Sequence, residues 1–222
     1  MRHLWFVWHI ALKRPTGSGK TYSLSGTQQS TRFHQRHTSI VKRRNQNSNS
    51  CESAGLAQRC ISYIFKLIRR KERSSPCTTY KLQASYVELY QERLADLLSP
   101  DSTLTIRQSS TNDLGPTFHV EGSCIVTCAS EDDLFAVLEE GSMQRQVRAH
   151  NLNEYSSRSH TILTIFVSSY HKKEDGSTEE RKGKLSLCDL AGRSVSIFSL
   201  KKAFHWFVSL FYTDFVHSEL CL

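Results

Sequence analysis

Between residues 53 and 73, in SAGLAQRCISYIFKLIRRKER, apolar side chains recur at 56, 60, 61, 64, 65, 67 and 68. That spacing places them on one face of a helix, and the basic run closing the segment suits the negative end of the helix dipole. The period then changes. In YKLQASYVELYQERLADLLS, Leu82, Ala84 and Tyr86 predict a strand running on to Tyr90, whereas Leu94, Leu97 and Leu98 predict a short helical turn ending before Pro100. LTIRQ and FHVEGSCIVTC predict further short strands. DDLFAVLEEGSMQRQV has helical spacing, opened by Ser130 with Asp133 three residues on. TILTIFVSSY (161–170) and GKLSLCDL (183–190) predict two strands joined by a polar loop, HKKEDGSTEER, and Leu4–Leu12 can supply one more. Strands with interspersed helices in this order predict an α/β or mixed three-layer architecture.

Composition adjusts this picture only in part. The 222 residues suffice for one domain, and 38% hydrophobic with 23% charged residues argues against disorder along the whole chain. A formal charge of +8 favours a polyanionic partner. The seven cysteines form no C-x-x-C pair, which points to reduced thiols, with Cys124 and Cys128 buried in a strand. The N-terminal MRHLWFVWHIALKR interrupts its apolar run with His9, and WFVSLFYTDFV (206–216) is too short to cross a bilayer, so a soluble chain is expected. Residues 27–50 are polar and basic, including Arg32, Arg36, Lys42, Arg43 and Arg44, and predict a solvated insertion. His34 and His37 have a metal-compatible spacing, but the surrounding cations argue against a site. The basic clusters at 32–44 and 66–73 also allow a non-catalytic module binding RNA or an acidic protein surface; a solvated loop and a helix end account for them equally well.

Three segments carry candidate chemistry. KRPTGSGKTYSLSG (13–26) follows the phosphate-loop pattern G-x-x-x-x-G-K-[ST] except that Arg14 replaces the leading glycine. Gly17 and Gly19 let the backbone curl so that N–H groups face phosphate oxygens, Lys20 reaches the outer phosphates, and the Thr21 hydroxyl joins a Mg²⁺ shell. A Gly/Ser-rich turn with a chance lysine is the plainer alternative. In LSLCDLAG (185–192), Asp189 ends a strand where a carboxylate can hold a metal-bound water, and Gly192 offers a backbone N–H to a terminal phosphate; a strand-end aspartate can also simply form a turn. NEYSSRSH (153–160) clusters the hydroxyls of Ser156, Ser157 and Ser159 with Arg158 and His160, suited to metal, phosphate and water, or else a polar loop with a helix cap.

In this order TGSGKTYS, SYVELYQERLADLL, FHVEG, HNLNEYSSRSH and LSLCDLAG closely resemble the motor domain of the kinesin family, over residues 16–192 with the 27–52 insertion excepted. The resemblance implies a P-loop NTPase-type three-layer sandwich with a central mixed β-sheet, incomplete at both ends. It implies an ATP hydrolase that uses ATP and Mg²⁺ and binds microtubules (tubulin), in the cytoplasm on the cytoskeleton, with neither membrane nor nucleic acid as partner. Thr16, Gly17, Ser18, Gly19, Lys20 and Thr21 map to the phosphate loop. Asn153 to His160 map to the first switch, with Ser157 on Mg²⁺, Ser156 near the attacking water, and Ser159 and His160 closing the motif. Asp189 to Gly192 map to the second switch, Asp189 reaching Mg²⁺ through water and Gly192 sensing the γ-phosphate. The flanks 1–15 and 193–222 depart from the family: Arg193 and Ser194 follow where a serine and a glutamate are expected, which removes the partner of Arg158. Abrupt junctions at Thr16 and Gly192 predict flanks altered by transcript splicing or a gene-model error, and an ATPase far below that of a complete motor. A phosphate-loop NTPase of another kind is the remaining alternative, disfavoured by NEYSSRSH.

Overall fold

The computed structural model describes residues 5–12, 18–26, 54–112, 115–150 and 158–191. Along the chain come β1 (Trp5–Leu12), α1 (Lys20–Ser25), α2 (Leu56–Ser74), β2 (Thr78–Tyr90), β3 (Arg93–Asp96), β4 (Thr105–Asn112), β5 (Gly115–Glu121), β6 (Val126–Cys128), α3 (Glu131–His150), β7 (Ser159–Lys172) and β8 (Thr178–Asp189). The larger sheet runs β1-β8-β7-β2-β3, with β6 also on β2, while β4 and β5 form a separate hairpin. β1 lies parallel to β8 and the other pairs are antiparallel, so the sheet is mixed.

Side-chain alternation decides which face is buried. Leu82, Ala84 and Tyr86 of β2 stand opposite Val167, Ile165 and Leu163 of β7, and Ile165 and Leu163 stand opposite Leu185 and Leu187 of β8. This face packs against Leu24 of α1, Ile61 and Phe65 of α2, and Leu134 and Leu138 of α3 in one core. Val87, Leu89, Ile162 and Cys188 make a smaller cluster on the opposite face. The described residues therefore supply the sheet and one helical layer of the expected sandwich. In α2 the buried stripe is Ala57, Ile61, Phe65 and Ile68; Leu67, placed on that face by its spacing, is 39% exposed. No described helix is long and apolar enough to cross a membrane.

α3 starts where its sequence predicts. Asp133 Oδ2 accepts the N–H groups of Ala129 and Ser130, both at 2.9 Å, and the Ser130 hydroxyl accepts the Asp133 N–H at 3.1 Å. Three donors near the helix start are thereby satisfied. Further along, Gly141 lies against Tyr86 of β2, and a Cβ there would fall on the ring. The missing side chain is what brings α3 down to the sheet.

Cys128 is buried in β6 as expected, but Cys124 lies between β5 and β6 and is only half-buried; two larger expectations are also corrected. Leu94–Leu98 is no helical turn: β3 pairs with β2, Leu94 opposite Leu89 and Ala95 opposite Glu88. Gln91 and Glu92 make the connection with φ of 47° and 65°, conformations that glycine or asparagine more often takes. The strand ends at buried Asp96, whose carboxylate accepts the N–H groups of Leu98, Ser99 and Cys124 at 2.8, 3.2 and 2.6 Å. The second correction concerns HKKEDGSTEER. β7 continues to Lys172 and β8 resumes at Thr178, leaving 173–177 as the connection. Polar pairs such as Tyr170–Glu180 and Ser169–Arg181 carry the ladder past the apolar core.

Candidate nucleotide site

At the start of α1, Gly19 adopts φ 79° at the N-cap, a left-handed conformation that a glycine takes without penalty. Lys20 follows as the first helical residue and is buried to 9% exposure. Thr21 donates its hydroxyl to Asp189 Oδ2 at 2.7 Å, across 168 residues of sequence. The loop and the end of β8 are thus joined side chain to side chain.

Register explains why Asp189 is buried there. Glu88 of β2 pairs with Thr161 of β7, and Thr161 with Asp189 of β8, so the three residues form a row across three strands. Counting from Tyr86, Leu163 and Leu187, the row lies on the face covered by the helices, and its members are 0%, 0% and 2% exposed. α3 answers with arginines. Arg145 donates through Nη1 to Asp189 Oδ2 at 2.8 Å and through Nη2 to Ser159 Oγ at 3.4 Å. Arg148 donates through Nε to Glu88 Oε2 at 3.0 Å. Burial works against the Arg145 charge, but the Asp189 carboxylate, with Tyr86 and Glu88, holds its pKa above the ordinary value.

His160 lies beside this row. Its Nδ1 accepts the Ala191 N–H at 3.0 Å, which ties the start of β7 to the residues after β8 and places the ring proton on Nε2. Burial, with the Arg145 charge, pushes its pKa down to about 4 although Asp189 pulls the other way. A depressed histidine pKa means that the unfolded chain binds the proton first as pH falls. Stability is then full above the unfolded value of 6.5 and declines as pH falls to about 4. The expected loss is up to about 3 kcal/mol. Urea midpoints at pH 7.5, 6, 5 and 4.5 should fall accordingly and fall less in His160→Gln; equal slopes for the two proteins would remove His160 as the cause.

Comparison with known proteins identifies the fold that carries this arrangement. A family profile described as the kinesin motor domain matches residues 15–199. The chain belongs to the kinesin motor domain family. It is 33% identical over 181 residues to human kinesin-like protein KIF13B, covering 80% of this chain and 8% of that protein. It is 34% identical over 179 residues to kinesin-related protein 5 of Dictyostelium discoideum, covering 80% of this chain and 16% of that one. Among solved structures, one described as that of a fast kinesin, with implications for ATPase mechanism and interactions with microtubules, aligns with TM-score 0.64 and 28% identity over 88% of this chain and 46% of its own. The chain thus spans less than half of that kinesin and under a fifth of these two relatives. Kinesin motor domains as a family bind nucleotide and act as microtubule motors.

Of the residues expected at the kinesin site, Ser18, Gly19, Lys20, Thr21, Arg158, Ser159, His160 and Asp189 are described, and Thr16, Gly17, Asn153, Ser156, Ser157 and Gly192 lie outside the described residues. Thr21, Ser159 and Asp189 come together through direct or Arg145-bridged bonds. Arg158 is exposed, so its charge bears no cost of burial. Mg²⁺ is implied by the family, and the donor set fits it. Asp189 Oδ1 is buried with no hydrogen-bond partner among the described residues, on the carboxylate whose other oxygen takes the Thr21 hydroxyl, and hard oxygen donors suit that ion. Arg145, Arg148 and Glu88 were not foreseen from sequence. The available signals were a charge at 88 amid the apolar run of β2, and an arginine at 145 in line with the buried positions 134, 138 and 141 of α3.

Proposed function

We propose that residues 16–192 are a partial kinesin motor domain that binds ATP·Mg²⁺, and that the whole protein couples ATP hydrolysis to movement on microtubules. On this reading 1–15 and 193–222 are divergent flanks and 27–52 is an insertion. The 2.7 Å bond between Thr21 and Asp189 carries the proposal, because it joins the phosphate loop to the strand-end carboxylate that such a site requires. Thr16 to Lys20 present backbone N–H groups and the lysine charge to the phosphates. Thr21 and Ser157 would hold Mg²⁺ directly, and Asp189 through water. When bound, the ion neutralises phosphate charge as it builds up. Ser156 orients the attacking water, Arg158 supplies charge to the transferring group, and Asn153, Ser159 and His160 shape the loop around them. Gly192 senses the γ-phosphate, and its release relaxes both switches.

Thermal unfolding of the full chain with and without MgADP tests the nucleotide reading. At a hundredfold excess over Kd, binding adds about 2.7 kcal/mol, which raises Tm by roughly 5–10 °C for a domain of this size. Lys20→Ala should abolish that rise. No rise in the unmutated chain, or an equal rise in the variant, would overturn the proposal.

A basic binding module remains the second reading because Lys66, Arg69, Arg70, Arg73 and Ser74 line an open groove of about 480 Å³ on α2. Polyanion binding that is steeply salt-dependent, yet indifferent to nucleotide and to Lys20→Ala, would favour it.

A further inference from the structure

Asp189 competes for Arg145 with a second carboxylate. Glu88 lies in the same row, fully buried, with Oε1 4.0 Å from Arg145 Nε. Arg145 nevertheless spends its closest bond on Asp189, 2.8 Å from Nη1. Arg148, nearly one turn further along α3, meets Glu88 at 3.0 Å, with its own side chain 37% exposed. A carboxylate in a low-dielectric interior attracts any guanidinium within reach. Two arginines on one helix face are therefore shared between two buried carboxylates on the sheet beneath.

We propose that Arg148 is a positioning residue for the nucleotide site: by compensating Glu88 it leaves Arg145 on Asp189, and so holds the Asp189 carboxylate against Thr21. The inference rests on the nucleotide-binding reading above. Without Arg148, Glu88 keeps Arg145 within reach, 4.0 Å from its Oε1. The guanidinium then turns towards Glu88, and the Asp189 carboxylate loses one of the two bonds that fix its orientation, keeping only that from Thr21. If Arg148 merely fastens α3 to β2, its loss weakens the fold and nothing more. The two roles separate at Glu88, since removing that charge removes the competitor.

The test is MgADP affinity of the full chain, read with a fluorescent ADP analogue, for the unmutated protein, Arg148→Gln, Glu88→Gln and the double variant. Arg148→Gln should bind MgADP about tenfold more weakly, as is usual when a group supporting a metal-facing residue is lost. ADP in EDTA should be far less affected. The double variant should return to within about twofold of the unmutated chain, because Arg145 again has one carboxylate to serve. An Arg148→Gln protein that binds normally, or a double variant as weak as the single, overturns the proposal. If Arg148→Gln does not melt cooperatively, Arg148→Lys is read in the same way, with a smaller expected loss that Glu88→Gln again relieves. If the unmutated chain binds no nucleotide, the functional reading fails by itself. The positioning role is then read in the ligand-free chain from hindered rotation of the Arg145 guanidinium by ¹⁵N NMR. That signature should disappear in Arg148→Gln and reappear in the double variant; its persistence in Arg148→Gln would sink the idea.

Discussion

Asp189→Asn is expected to lower stability by about 3 kcal/mol and to abolish the MgADP response. The substitution changes no volume, so any effect comes from charge and hydrogen bonding. Asp189 is 2% exposed and takes bonds from Thr21 at 2.7 Å and Arg145 at 2.8 Å. Breaking a buried ion pair from one side usually costs about 3–5 kcal/mol, because the remaining charge stays desolvated. Arg145 would be that charge, its side chain only 13% exposed. Glu88 at 4.0 Å keeps part of the favourable field, which puts the expected loss at the lower end. Urea unfolding at pH 7.5 measures it. Arg145→Met combined with Asp189→Asn should be less destabilising than the two single effects added, the mark of a direct pair. A loss below about 1 kcal/mol would show that the pair is solvated in solution.

Several of the elements around this site were legible in the sequence, and the remainder shows what a linear pattern can encode. The strand ending in Asp189, the strand from Leu82 to Tyr90 and the helix opened by Ser130 and Asp133 are signalled by residues within a few positions of one another. The Gly-Lys-Thr pattern at 19–21 is legible because its residues are contiguous. The sequence of β3 hides its strand because Leu94, Leu97 and Leu98 fit a helical turn, while the reversal at Gln91 and Glu92 lacks the glycine or asparagine that usually announces a two-residue hairpin. The lengthened hairpin of β7 and β8 was missed for a different reason. Its outer rungs hold polar pairs, such as Ser169 with Arg181, and no alternation marks them. Arg145 and Asp189 are 44 residues apart, and Arg148 and Glu88 are 60 apart. Only the register of β2, β7 and β8 brings these carboxylates into one row under α3.

How closely α3 seats on that row depends on Gly141. In an ordinary helix interior, glycine to alanine stabilises by up to about 1 kcal/mol. Here the sign should reverse. A methyl at Gly141 would fall on the Cδ1 edge of Tyr86, a ring 3% exposed in the core. Relief requires α3 to lift or the ring to leave its place, and overpacking of this kind costs roughly 1–3 kcal/mol, so Gly141→Ala should destabilise by about 2 kcal/mol and Gly141→Val by more. Combining Gly141→Ala with Tyr86→Leu removes the ring from beneath the methyl and should recover part of the loss, whereas Tyr86→Phe keeps the ring and should recover none. Arg145 lies one turn beyond Gly141 on the same helix, so a lifted α3 also draws its guanidinium from Asp189. Gly141→Ala is therefore expected to weaken MgADP binding in protein that is still fully folded at 15 °C, measured by the same fluorescent-analogue titration. An unchanged affinity together with a stabilised fold would mean that Tyr86 yields easily, and that the seat of α3 does not govern the site.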